Sequence, residues 1–140
     1  MDEEYTGEAI QCLVRWQDAF NNRDLEGMLR EMHFPHYRIS SDNMFHVWET
    51  SFEFSQNHHI MTKALDSEGW IKTITGSIDV FQSDLNKVHI GIKPSRINSI
   101  GESYNSFESL WIVTKLDNTW GIQFRSSFLS NAAEHHKLQK

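Results

Sequence analysis

The stretch Phe107–Phe128, FESLWIVTKLDNTWGIQFRSSF, constrains the fold more than any other part of the chain. β-Branched and aromatic residues flank Asp117-Asn118, the composition of two antiparallel strands joined by a tight turn. A two-residue loop pairs Leu116 with Thr119 and so sets the register. In that register Glu108, Leu110, Ile112 and Thr114 share one face with Gly121, Gln123, Arg125 and Ser127. Phe107, Trp111, Val113, Ile122, Phe124 and Phe128 take the other, which is apolar throughout. The first face sets an acid, a base, an amide and a hydroxyl among aliphatic side chains. That is the pattern of a polar-tipped cavity or of a polar contact surface.

A chain of 140 residues fits one domain and can bury a core without covalent staples. Its single cysteine, Cys12, excludes an intrachain disulfide framework and sits in a helical pattern beside Leu13 and Trp16, as a packed thiol would. No N-terminal apolar run resembles a signal peptide, and no uncharged stretch approaches the ~20 residues of a membrane span, so the expected compartment is the cytoplasm. The net charge is −6, without a Lys/Arg cluster, which argues against a nucleic-acid partner. Five tryptophans exceed the needs of so small a core and suggest a lined cavity or an oligomer interface.

Along the chain, residues 2–22 carry an amphipathic helix with Ala9, Leu13, Trp16 and Phe20 on one face. Asn21-Asn22 ends it, and Asp24 caps a short helix over Leu25–Met32. Pro35 stops helix, so His36–Ser41 is expected as the first strand and Met44–Trp48 as its returning partner after the turn at Asp42-Asn43. Thr50-Ser51-Phe52-Glu53 reads as a capping box. The helix it opens has Phe54, His58, Met61 and Leu65 on one face and stops at Gly69. Four long strands follow, at Trp70–Phe81, Lys87–Asn98, Tyr104–Leu116 and Thr119–Leu129, with Gly76, Gly91 and Pro94 as bulge or bend positions. The domain is expected to span 1–129, with 130–140 as a frayed tail.

Helices first and long strands after define an α+β layout in which three N-terminal helices pack on a strongly curved antiparallel sheet. With the phrase AFNNRDLEGMLREM and the closing DNTWGIQFRSSF, the order of elements resembles the NTF2-like superfamily, in its SnoaL-like branch of small single-domain proteins. The resemblance implies a cone-shaped fold, a pocket between helix and sheet, and dimerisation through the sheet's outer face. It implies no single activity, because that superfamily holds isomerases, dehydratases, cyclases, hydrolases and inert association modules. Against the ketosteroid isomerase type, Trp16 stands at the place of the tyrosine, Ser40 or Ser41 at that of the general base, and a position near Ile112 at that of the second acid. All three catalytic groups are absent. The same overlay puts Glu108, Ile112, Gln123, Arg125 and Ser127 on the concave face.

Glu108 and Arg125 fall diagonally across the hairpin, where they either neutralise each other or present the guanidinium to a ligand carboxylate or carbonyl. Such a pocket would have a volume on the order of 300 Å³ or more. His36 is a candidate pocket base, although a histidine opening a strand is more often packed. His33 and His36 lack further ligands for a metal, and no phosphate loop, nucleophile elbow or cofactor motif occurs. The candidate ligand-binding set is therefore Trp16, Phe20, His36, Glu108, Ile112, Gln123, Arg125 and Ser127. Its expected ligand is a small hydrophobic or carboxylate- or carbonyl-bearing molecule. The competing expectation is a non-catalytic association module with a filled hollow. Trp111, Ile122 and Phe124 are expected on the outer sheet face, at a homodimer interface.

Overall fold

The computed structural model describes residues 3–129; the tail expected at 130–140 lies outside them. Helix α1 spans Glu3–Asn21 and buries Ala9, Leu13 and Trp16, the stripe its periodicity requires. The amide of Asn21 hooks the backbone N–H and C=O of Thr73, fixing the end of the helix against the sheet. Helix α2, Leu25–Arg30, is shorter than expected, and its Asp24 cap accepts from the Gly27 N–H at 3.0 Å. Strand β1 then runs from Met32 to Ile39, starting before Pro35 instead of after it. Between Met32 and Tyr37 the pairing with its neighbour is irregular, so the missing proline N–H interrupts no ladder bond.

Strand β2 is Phe45–Trp48, and helix α3 is Ser51–Glu68. Thr50 caps α3 by accepting from the Glu53 N–H, while the Glu53 carboxylate reaches one residue further back than a capping box requires, to the Glu49 N–H. Gly69 closes the helix in the left-handed region, at φ +78°. Cys12 is packed as expected, its thiol pushed up to about 12 by burial and then by Glu31.

The three long strands that follow are each broken. They form β3 (Trp70–Ile74) and β4 (Ile78–Ser83), β5 (Lys87–Ile92) and β6 (Ser95–Asn98), then β7 (Ser103–Ser106) and β8 (Ser109–Leu116). The breaks coincide in space: a Cβ on Gly76 would lie 2.5 Å from the Lys93 carbonyl, and the Phe107 N–H donates to the Pro94 C=O. This corner divides the strands between two sheets. One has the order β2-β1-β9-β8-β5-β4, with β9 at Thr119–Ser127, and the other the order β3-β6-β7. All pairings are antiparallel except that of β1 with β9. Gly76 and Pro94 are therefore bends, as expected. Gly91 is instead covered by the ring of Phe81, which would lie 2.3 Å from an added Cβ.

The β8–β9 hairpin turns at Asp117 and Asn118, both at positive φ, and pairs Leu116 with Thr119 as the sequence requires. The expected alternation fails further along. Val113 pairs with Ile122 but Ile112 with Phe124, so Gln123 is an extra residue in β9. Beyond this bulge the inward set of β9 changes from Trp120 and Ile122 to Arg125 and Ser127, opposite Trp111 and Ser109. Trp111 (4% exposed) and Ile122 (0%) are consequently core residues, not outer-face residues. Ile112 and Phe124 share the outer face, and Glu108 is exposed. The core is closed by Met28, Met32, Trp48, Phe54, Val88, Ile90 and Val113 packed against the α1 stripe.

Candidate functional site: a cavity with three arginines

Between α1 and the corner of the two sheets lies a cavity of about 60 Å³. Trp16, Gln17 and Phe20 wall it from α1, and Met61 from α3. Ser109 and Trp111 of β8 and Ser127 of β9 form its sheet side, with Phe107 at the break before β8. Three guanidinium groups meet in it: Arg38 from β1, Arg96 from β6 and Arg125 from β9. Register dictates the first pair, because Arg38 and Arg125 are ladder partners across the parallel β1–β9 junction. Only the bulge at Gln123 brings Arg125 to the same side as Ile122.

The three arginines differ in what holds them. Arg96 donates from Nη1 to Glu68 Oε1 at 3.0 Å, and the Tyr104 hydroxyl donates to the same oxygen at 2.8 Å. Arg125 has no carboxylate partner among the described residues. Its Nε–H donates to His36 Nε2 at 3.0 Å, and its guanidinium lies 5.1 Å from the centre of the Trp16 ring and 5.8 Å from that of Trp111. Arg38 donates from Nη2 to Ser127 Oγ at 2.9 Å, while its Nε is buried without an acceptor among the described residues. The indole N–H of Trp16 is buried and unpartnered in the same way.

Burial, followed by the charge of Arg38, lowers the Arg125 pKa well below the usual arginine value. Burial and then Arg96 push Arg38 down to about 10. Both shifts express positive charge held out of water without a counter-charge. His36 is fully buried, and burial followed by the Arg125 charge holds it well below 6.5. Since Arg125 donates to Nε2, the neutral ring must carry its proton on Nδ1, which donates to the Ile122 carbonyl at 3.1 Å. The imidazole thus aims Arg125 from behind and does not line the cavity.

Of the residues expected at a site, Trp16, Phe20, Arg125 and Ser127 line the cavity, and His36 stands behind it. Glu108, Ile112 and Gln123 do not. Glu108 borders a groove on the outer face with Asp79 and Phe128, so the expected Glu108–Arg125 ion pair is absent. Ile112 turns outward with Phe124. Gln123 is occupied at the bulge, accepting from the Thr114 hydroxyl and donating to the Pro35 carbonyl. The cavity is also smaller than expected, because the stacked rings of Trp16 and Phe20 and the edge of Trp111 fill much of the cone. Sequence reasoning missed Arg38, although alternation from an inward His36 puts it on the same face two residues on. Arg96 follows Pro94, which breaks the alternation of its strand, so its facing does not follow from the sequence, and Phe107 and Trp111 are expected outward from it.

This architecture, helices enclosing a hollow against a sharply bent and mostly antiparallel sheet, is the NTF2-like, cystatin-like α+β fold. A cystatin-like protein of unknown function from Nostoc punctiforme superposes with a TM-score of 0.71 at 13% identity, covering 89% of this chain and 90% of that one. Aln2 from a Streptomyces species does so with 0.70 at 10% identity, covering 97% and 98%. An NTF2-like protein of unknown function from Shewanella oneidensis gives 0.68 at 14%, covering 88% and 98%. No protein-family model matches the chain, and no curated protein matches its sequence. None of the described helices is long and apolar enough to cross a membrane.

Proposed function

We propose that the protein binds a small oxyanion-bearing molecule, a carboxylate or a phosphoryl compound, in the three-arginine cavity. The observation that carries this reading is the pair Arg38 and Arg125, the first half-buried with its Nε out of reach of water and the second buried, neither with a carboxylate partner among the described residues. A folded chain retains such a pair against its desolvation penalty when something of opposite charge completes it. Phe20, Met61 and Phe107 are only partly buried and form an apolar rim for the rest of the ligand. The reading favours binding over proton-transfer chemistry. Glu68 is held by Arg96 and Tyr104, and both nitrogens of His36 are engaged away from the cavity. Calorimetric titration with benzoate, acetate, phosphate and sulfate, beside neutral benzamide, tests it. At least one anion should bind the wild type and fail to bind Arg125→Leu, whereas binding of benzamide alone would refute it.

The outer sheet face supports a second proposal, a homodimer formed through that face. Phe81 (64% exposed) and Phe128 (68%) lie with Leu110 and Gly91 around one groove. Phe45 is exposed at the other side of the same sheet. A patch of this kind on one face of a small domain is commonly covered by a partner.

A further inference from the structure

We infer that the anion selected by this cavity is a compact dianion, one headgroup carrying two negative charges, such as a phosphoryl group or a short dicarboxylate. This rests on the anion-site reading above and goes beyond it in charge and size.

The charge follows from counting the groups that meet in the cavity. Arg38, Arg96 and Arg125 bring three positive charges, and Glu68, held by Arg96 at 3.0 Å, removes one. Two remain uncompensated among the described residues. A monoanion would satisfy one of them and leave the other without a counter-charge beside it, an arrangement that is costly where water is partly excluded. Arg38 and Arg125 are adjacent in register on neighbouring strands, so a single small group can meet both.

The donor inventory points the same way. Arg38 Nε–H and Trp16 Nε1–H are buried without acceptors among the described residues, and toward those residues Arg125 donates only from Nε. Guanidinium and indole nitrogens donate and never accept. A headgroup that still carried an acidic proton would turn a donor toward donors, so the fully deprotonated form is the complement. Size sets the last limit. A volume of about 60 Å³ is well below the ~300 Å³ at which the usual ligand pocket begins. It admits one tetrahedral oxyanion or a pair of adjoining carboxylates, and any larger remainder must leave past Phe20, Met61 and Phe107.

Calorimetric titration of the full chain at pH 8 and fixed ionic strength, with two pairs matched in shape, separates the alternatives. Phenyl phosphate, dianionic because its second pKa lies near 6, is set against monoanionic phenyl sulfate. Malonate is set against its monomethyl ester, a monoanion of similar shape. The dianion of at least one pair should bind about tenfold or more tightly than its partner, and which pair responds identifies the phosphoryl or dicarboxylate source. Arg38→Gln, which leaves one uncompensated charge, should erase the preference while still binding a monoanion. A wild-type measurement needs no variant: phenyl phosphate affinity should rise as pH is raised through about 6, and phenyl sulfate affinity should not. Equal affinities within both pairs, all lost in Arg125→Leu, would overturn the dianion inference and leave the anion site standing. Absence of binding by all four compounds would overturn both.

Discussion

Arg38 and Arg125 are ladder partners on adjacent parallel strands, and both project into the fold, where neither meets a carboxylate among the described residues. Like charges placed side by side in a protein interior disfavour the folded state unless a third group intervenes. The pair therefore lowers the stability of the fold on its own.

Arg38→Met should raise that stability by about 1–3 kcal/mol while erasing any preference for a dianion, since an apolar replacement removes a desolvated cation and keeps most of the packing. Urea denaturation without added anions measures it. A loss of stability would mean that the bond from Arg38 to Ser127 outweighs the repulsion.

Acid should destabilise the protein through His36. Its folded pKa lies well below 6.5, so between its folded and unfolded values the unfolded chain binds the extra proton. Stability is then full above about 6.5 and falls as pH drops, by up to ~1.4 kcal/mol per pH unit for one group. His58, lowered mainly by burial, adds a contribution of the same sign. In His36→Gln, where the amide oxygen can still accept from Arg125, the fall between pH 6.5 and 5 should be shallower by close to one proton. Urea midpoints taken across that range report the slope.

Trp16 is both core and cavity wall, 3% exposed, stacked on Phe20 and edge-on to Trp111. Trp16→Ala should cost about 3–5 kcal/mol. A loss below about 1 kcal/mol would place the ring in a site that can collapse around its absence.

At the corner, Gly76→Ala should cost more than Gly69→Ala although both glycines have positive φ. An added methyl at Gly69 meets open space and should cost about 1–2 kcal/mol for backbone conformation alone. At Gly76 it strikes the Lys93 carbonyl at 2.5 Å, and overpacking adds about 1–3 kcal/mol. Paired thermal melts of the two variants give the difference.

Sedimentation should show a dimer for the wild type and a monomer for Phe128→Asp, which places a charge in the lining of the outer-face groove. A wild-type monomer at high micromolar concentration would refute the proposed interface.

Much of the architecture is legible in the chain because its signals are local. The α1 stripe, the Thr50 cap, the Gly69 stop and the Asp117-Asn118 turn each sit within a few residues of what they determine. The site is less legible because it depends on parity carried along a strand. Nothing around Gln123 marks a bulge, and one extra residue reverses every later side chain relative to the turn. Unbroken alternation counted from the turn puts Arg125 and Ser127 inward only by turning Trp111 and Ile122 out, whereas alternation holds along β8 and is broken in β9. Taken together as one apolar wall, Val113, Trp111, Trp120 and Ile122 are compatible with an inward Arg125 only if a bulge separates them from it.

The extra residue at Gln123 works like a reading-frame shift in the wall of the cone. Upstream of it β9 presents Trp120 and Ile122 to the interior, and downstream it presents Arg125 and Ser127. Without it, continuous alternation from Ile122 would turn Phe124 inward in place of Arg125, and the same amino acids would line a hydrophobic plug. The cationic character of this interior is thus written less in its arginines than in the length of the strand that carries one of them.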